Sequence, residues 1–357
     1  MSLENKPKSI RNGDELPLEK LNAWFIQAGI TKKPLGSVRQ FGGGYSNLTY
    51  EIQIEEDTFI LRKPPKGAEN IKGGHDMVRE YRVLKALQNA SFPFIPIPIA
   101  LCEDKEVLGA PFYVMKKVDG IIYRADQVKY LQENLLEIPF QAMSLALCDA
   151  LVALHSVNIQ ETGLIDLGKP DGYVARQVEG WTRRYLAAQT STIPSFDFVS
   201  DWLSVHIPVS GMPTLIHNDF KYDNVVFADT ALTEVKAILD WEMTTVGDPL
   251  MDVGTALSYW SEERDGSFEK SFNITWLAGN CTRAEFVERY AQKSGRSVEN
   301  ILFYYVFGLF KNAVVIQQIY ARYKAGFSTD VRFAYLDKGV VRLLEKAQKS
   351  IETSQMC

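Results

Sequence analysis

The run His217-Asn218-Asp219-Phe220-Lys221-Tyr222-Asp223-Asn224 gathers carboxylates, a lysine and an amide in eight residues, and Asp240 follows 16 residues after Asn224 in ILDWE. An ionised carboxylate such as Asp219 accepts a hydrogen bond from a hydroxyl and can aim that hydroxyl as a nucleophile. Asn224 and Asp240 supply hard oxygen ligands of the kind Mg²⁺ prefers. Lys221 either neutralises charge on a group in transfer or simply faces solvent. A second segment, FGGGYSN at 41–47, offers Gly42, Gly43, Gly44, Tyr45, Ser46 and Asn47, where the glycines let backbone N–H groups approach phosphates. Taken alone, the same triplet is an ordinary hairpin turn.

These side chains need elements to hold them. Leu18, Leu21, Trp24, Phe25 and Ala28 recur at helical spacing, with Gly29 as a stop. VRQF, LTYEIQI and TFILR then change to strand period, and predict an antiparallel sheet with FGGGYSN between two of its strands. His75 to Asn89 returns to helical spacing, and a proline-rich stretch leads into two more strands ending at FYVMKKVDG. From about Asp126 the helical period dominates, interrupted at 214–240 by the short apolar runs TLIHNDF, NVVFA and VKAILD that flank the chemical segment. Strands followed by helices predict an α+β architecture in two lobes: an N-terminal helical extension over 1–37, an antiparallel-sheet N-lobe over 38–118 and a mainly helical C-lobe over 119–357.

Composition narrows the function classes. The 357 residues are 46% hydrophobic and 23% charged, near the average of soluble globular proteins, and long enough for about two domains. Lys plus Arg total 39 against 44 for Asp plus Glu, so the net charge of −5 gives no support to a nucleic-acid partner. The most apolar region, Ile138 to Val157, is broken by Pro139, Gln141, Asp149 and His155, and no membrane span is expected. Cys102, Cys148, Cys281 and Cys357 lie far apart with no CxxC pair, which fits reduced thiols in a cytoplasmic protein better than a disulfide framework or a zinc ribbon. The polar start MSLENKPKSIRNGDEL has no signal-peptide character.

The order of Asp219, Asn224 and Asp240 follows the protein-kinase pattern HRDLxxxN…DFG, in which the first Asp takes the hydroxyl proton and the Asn and second Asp hold magnesium. With LDWE and GDPLMD, the sequence resembles the aminoglycoside phosphotransferase and choline kinase group, small-molecule relatives of protein kinases, from about Arg39 to Tyr335. Through LRKPP, ARQVEGW, HNDFKYDNVVF and LDWEMTTVGDPLMD it is most similar to the kinase-like domains fused to certain acyl-CoA dehydrogenases and to their free-standing bacterial relatives. The resemblance implies a protein-kinase-like fold, ATP and Mg²⁺ as cofactors, and a small-molecule hydroxyl as acceptor, with a hydroxyacyl-CoA as one acceptor class. It also implies that Arg62 stands at the phosphate-contacting lysine position, with Glu80 as its ion-pair partner. Lys63 lies next to Arg62, and strand alternation sends the two to opposite faces. Met115 and Val118 fall in the segment that reads adenine.

Other readings stand beside these. An aminoglycoside-type antibiotic kinase and an inactive nucleotide-binding module are the alternatives, and the lack of an APE motif argues against a protein substrate. His217 is expected to pack within its loop, His155 within a helix, and Asp248 and Asp252 to cap and brace. Arg176, Gln177 and Trp181 fit either the substrate side or a packed helix face. Residues 261–350 hold 14 Lys plus Arg and 10 Asp plus Glu, a balance of +4 that suits an anionic acceptor better than a polycation.

Overall fold

The computed structural model describes residues 6–42, 47–67, 75–134, 138–228, 233–327 and 330–357, so Gly43, Gly44, Tyr45 and Ser46 lie outside the described residues. The chain forms two compact units. Met1–Tyr123, Gln160–Leu164 and Asn224–Thr244 make the first, and Arg124–Ile159, Ile165–Asp223 and Thr245–Cys357 make the second.

In the first unit, α1 (Leu18–Gln27) is followed by β1 (Val38–Gln40), β2 (Leu48–Ile54), β3 (Asp57–Lys63), α2 (Met77–Asn89), β4 (Pro98–Cys102), a short α3 (Lys105–Leu108) and β5 (Phe112–Lys116). The strands form one sheet in the order β1-β2-β3-β5-β4, antiparallel throughout. Alternation in LTYEIQI does what a half-buried strand requires: Leu48, Tyr50, Ile52 and Ile54 point into the core. They meet Leu21 and Phe25 of α1 and Phe59, Leu61, Phe112 and Val114 of the neighbouring strands. Register pairs Arg62 with Thr49 on one side and Tyr113 on the other, at the centre of the sheet. Helix α2 starts where Asp76 accepts a hydrogen bond from the Arg79 N–H at 3.0 Å, a side-chain cap for an otherwise orphaned donor. The antiparallel hairpin Val225–Phe227/Val235–Ile238 also belongs to this unit, although it lies in the second half of the chain. It packs Val226 and Ala237 against Ile122.

The second unit is helical: α4 (Val128–Glu133), α5 (Phe140–His155), α6 (Tyr173–Ala188), α7 (Pro194–Val205), α8 (Pro249–Tyr259), α9 (Ser267–Lys270), α10 (Arg283–Ser294), α11 (Ile301–Lys324) and α12 (Leu336–Thr353). One short antiparallel pair, Thr214–Ile216 with Thr245–Gly247, brackets the segment that enters His217. Helix α11 is long and apolar enough to cross a bilayer by length and composition, but 78% of that window is buried inside the protein, as expected of a core helix. It crosses α8 at very short range. A Cβ added at Gly254 would come 2.1 Å from the Tyr304 carbonyl oxygen, and one added at Gly308 would come 2.3 Å from the Gly254 carbonyl oxygen, so only hydrogen fits at either position. The sequence pattern led to the expected sheet and the helical second half; α3 and the strand Thr245–Gly247 are additions, too short to stand out in a periodicity.

Candidate active site

In the first unit, Arg62 leaves the central strand and points its guanidinium into a ring of acids. Its Nε lies 3.4 Å from Glu80 Oε1 and its Nη2 2.8 Å from Asp240 Oδ1, with Glu242 Oε2 at 4.0 Å. Glu80 is 1% exposed and Arg62 9%. Burial opposes the Arg62 charge, but Glu80, Asp240, Tyr113 and Glu242 outweigh it and hold the guanidinium protonated. Burial raises the Glu80 carboxyl above its ordinary range, against the pull of Arg62. Glu242, two residues after Asp240, also accepts from Asn47 Nδ2 at 2.7 Å, while Asn47 Oδ1 bonds His75 Nδ1 at 2.8 Å. Asn47 thus ties the end of the glycine segment to Glu242 and His75, while Gly42 is exposed beside it. Met115 is buried on β5, and Val118, just beyond the strand, packs on the Ile122 cluster.

The hairpin Val225–Phe227/Val235–Ile238 positions Asn224 and Asp240, two residues whose oxygens could hold a metal. Val225 pairs with Ile238, and the Leu239 N–H donates to the Asn224 carbonyl at 2.7 Å, so Asn224 and Asp240 flank the same end of the ladder. Asp240 has left-handed backbone, φ +65°, uncommon for a residue other than glycine and a feature of functional turns. Among the described residues no cluster of three or more His, Cys, Asp or Glu is arranged to hold a metal alone. Mg²⁺ is commonly bound through one or two protein oxygens together with phosphate oxygens and water. The Asn224 amide and the partly exposed Asp240 carboxylate, one of whose oxygens meets Arg62, could supply such a pair of oxygens.

The second unit carries Asp219 and Lys221. The Lys221 ammonium lies 3.0 Å from each Asp219 oxygen and 4.5 Å from the centre of the Tyr259 ring. Tyr259 hydrogen-bonds to Asp219, and its own hydroxyl is driven upward by burial and by that carboxylate. Burial opposes the Lys221 charge, yet Tyr259, Asp219 and Asp223 hold it well above the ordinary lysine range. Asp223 itself is raised by burial to about 6.

Below Asp219 the loop is braced as the pattern implied. Asp252, fully buried on α8, accepts the His217 N–H at 2.5 Å and the Asn218 N–H at 2.7 Å, and meets His155 Nε2 at 3.2 Å. Burial works against its charge, but His155 and His217 together keep it below the usual carboxylate range. His217 Nδ1 accepts the Asp219 N–H at 3.2 Å, and His155 Nδ1 bonds Tyr290 at 2.8 Å. Asp248 caps α8 by accepting from the Leu250 N–H at 2.9 Å. Trp181 is 8% exposed, bonds Gln177 through Nε1 at 3.2 Å, and lies under the Arg184 guanidinium at 4.5 Å. Arg176 is exposed and turned onto the Asp171 and Lys169 carbonyls of its own helix start.

The structure therefore assembles Arg62, Glu80 and Asp240 around one point of the first unit, and Asp219 with Lys221 in the second. Glu242, Tyr259 and Lys311 escaped the sequence reading. Glu242 had a signal in its place two residues past Asp240, and Lys311 had a stronger one as the lone charge of Ile301–Tyr320.

This geometry sits on a chain that belongs to the phosphotransferase enzyme family, whose family model matches residues 37–287. It is 37% identical over 291 residues to acyl-CoA dehydrogenase family member 10 of Mus musculus, a match covering 80% of this chain and 26% of that protein. The chain thus spans about a quarter of the length of that relative. Among solved structures, a protein from Ralstonia eutropha assigned as an aminoglycoside phosphotransferase superposes with a TM-score of 0.77 at 30% identity, over 95% of this chain and 99% of that one. The GDP complex of aminoglycoside 2′-phosphotransferase-IIIa shares the fold at a TM-score of 0.62 and 16% identity, over 94% and 99% of the two chains. The chain has the kinase-like fold of this phosphotransferase family.

Proposed function

We propose that the chain transfers the γ-phosphoryl group of ATP, with Mg²⁺, to a hydroxyl of a small anionic metabolite, and that a hydroxyacyl-CoA is the acceptor class. The arrangement that carries this reading is Arg62 held between Glu80 and Asp240. A buried guanidinium with three acidic neighbours would meet phosphate oxygens, with Asp240 beside it to hold a metal ion that would neutralise phosphate charge. Asn224 and Asp240 would hold the ion, which supplies charge neutralisation across the phosphates. Asp219 orients the acceptor hydroxyl and takes its proton as the oxygen bonds to the γ-phosphorus and the bond to the β-phosphate oxygen breaks, leaving ADP. Lys221, already on Asp219, is positioned to balance charge at the transferred group. Catalysis of this kind is mostly positioning and electrostatics.

Charge favours an anionic acceptor. Lys221 and Arg184 both lie within electrostatic reach of Lys311 in the second unit, and residues 261–350 carry a balance of +4 in a chain of −5. A polycationic aminoglycoside meets the wrong sign there. The likeness to acyl-CoA dehydrogenase family member 10 supports the same choice from a separate direction, because kinase and dehydrogenase portions of one polypeptide are economically explained by a shared acyl-CoA. The test is product formation from MgATP with 4-hydroxyacyl-CoA and with kanamycin, each run with Asp219→Asn beside the parent. At least tenfold higher kcat/KM for the thioester is expected, with turnover about 10²-fold lower in Asp219→Asn. Phosphorylation of kanamycin without any turnover of hydroxyacyl-CoA would refute the acceptor, and an Asp219→Asn enzyme within threefold of the parent would refute the mechanism.

A further inference from the structure

From Ile301 to Tyr320 helix α11 carries one charge, Lys311, in a mostly apolar and aromatic run. The residue is 4% exposed, and its ammonium donates to the Asn218 carbonyl at 2.7 Å. Asn218 is the residue before Asp219, and its backbone is left-handed at φ +66°. The path into Asp219 is thus held at four backbone groups: the His217 and Asn218 N–H groups by Asp252, the Asp219 N–H by His217, and the Asn218 carbonyl by Lys311. The contact between α8 and α11 makes this possible. Gly254 and Gly308 bring the two backbones together, with Asp252 two residues from the first and Lys311 three residues from the second. An acid from one helix and a base from the other then grip opposite polarities of the same strained loop.

We propose that Lys311 is a positioning residue for phosphoryl transfer: by holding the Asn218 carbonyl, its ammonium fixes the direction in which the Asp219 carboxylate meets the acceptor hydroxyl. This rests on the role of Asp219 given above. A purely space-filling residue here would be apolar, since a buried ammonium costs several kcal/mol of desolvation that a methionine of similar length avoids. The ammonium also makes a charge-assisted hydrogen bond, roughly twice as strong as a neutral one.

The charge has a limited pH range. Burial pushes Lys311 down to about 8, with Asp219 and Asp252 acting to raise it and Lys221 and Arg184 acting to lower it further. Asp219 and Lys221 act on it from the loop, Asp252 from α8 and Arg184 from α6. The clamp is therefore charged at neutral pH and weakens as pH rises through about 8.

The test is the pH dependence of kcat for the parent, Lys311→Met and Lys311→Arg, measured with MgATP and with 4-hydroxyacyl-CoA or water as acceptor. The parent should lose turnover above pH about 8. Lys311→Met should lower kcat by about 10- to 100-fold at pH 7, the scale of a small misplacement, with both KM values within threefold and no such alkaline limb. Lys311→Arg, which stays protonated, should recover activity and carry it to higher pH. Turnover of Lys311→Met within threefold of the parent overturns the proposal, as does an alkaline limb at the same pH in both. A tenfold rise in acceptor KM with kcat preserved overturns it as well, because it makes Lys311 a binding group. Should Lys311→Met fail to fold by circular dichroism, the parent and Lys311→Arg profiles decide, and superimposable profiles overturn it. Asp219→Asn separates the two levels: an active Asp219→Asn enzyme removes the functional reading and Lys311 with it, whereas an inactive one beside a normal Lys311→Met enzyme removes Lys311 alone.

Discussion

Replacing Arg62 by methionine keeps most of the stem and deletes the charge, which isolates what the guanidinium does. Glu80 faces it at 3.4 Å and is 1% exposed, with Asp240 at 2.8 Å and Glu242 at 4.0 Å from the same group. Without Arg62, the three carboxylates lose the guanidinium they share, and the buried Glu80 keeps only its hydrogen bonds from Tyr113 and the Trp241 N–H. Breaking a buried pair by removing one partner costs about 3–5 kcal/mol, and the fully buried Glu80 places this pair in that class. The loss should depend on pH with a definite sign. Glu80 already lies above its ordinary range through burial, and removing Arg62 raises it further. A carboxyl whose folded pKa is raised destabilises the fold only where the unfolded chain would ionise it, so the penalty should be full at pH 8 and shrink as pH falls toward the unfolded value near about 4.3. Adding Glu80→Gln to Arg62→Met removes the stranded charge and should recover about 2 kcal/mol or more at pH 8, while phosphotransferase activity stays lost. Urea unfolding followed by tryptophan fluorescence at pH 5 and pH 8 measures all three variants. An Arg62→Met protein within about 1 kcal/mol of the parent at pH 8, or a gap that does not narrow at pH 5, would refute the argument.

Asp240→Ala should weaken MgATP binding by tenfold or more in calorimetry while changing metal-free ADP binding much less, since the metal links this carboxylate to the phosphates. Gly308→Ala forces a methyl toward the Gly254 carbonyl oxygen, 2.3 Å from the new Cβ, and should destabilise by at least about 1–3 kcal/mol; an unchanged thermal midpoint would mean the helices can slide apart freely. If the positive balance of residues 261–350 steers the acceptor, the KM for 4-hydroxyacyl-CoA should rise with ionic strength while the kcat holds, and a salt-independent KM would remove steering from the account.

The chemistry was legible because it is local. Asp219, Lys221 and Asn224 lie within six residues, and Asp240 is set by a hairpin short enough for its two strands to be recognised from their apolar runs. The strand alternation that separates Arg62 from Lys63 is equally local, and Arg62 does reach Glu80, 18 residues on, through the pairing of adjacent elements. Tyr259 and Lys311 were illegible for the opposite reason. Tyr259 closes a helix 40 residues after Asp219, and Lys311 lies 92 residues after it; only packing brings them there. No periodicity announces that Gly254 and Gly308 face each other, because a glycine in a helix reads as a weak point until the partner backbone is in place.

A lone charge in a long apolar helix is a different kind of signal. In Ile301–Tyr320 the sequence offers Lys311 no acidic neighbour at helical spacing, so a partner must come from elsewhere or the charge must be lost. The fold answers with a backbone carbonyl rather than a carboxylate. Burial lowers the ammonium to about 8, against the pull of Asp219 and Asp252 and with the push of Lys221 and Arg184. The same residue is then a rigid clamp at neutral pH and a weak one in alkali. A dedicated carboxylate partner placed on α8 or α6 should make the enzyme's alkaline limb disappear without changing its turnover at pH 7, and an engineered acid that restores no activity above pH about 8 would show that the limb arises from some other group.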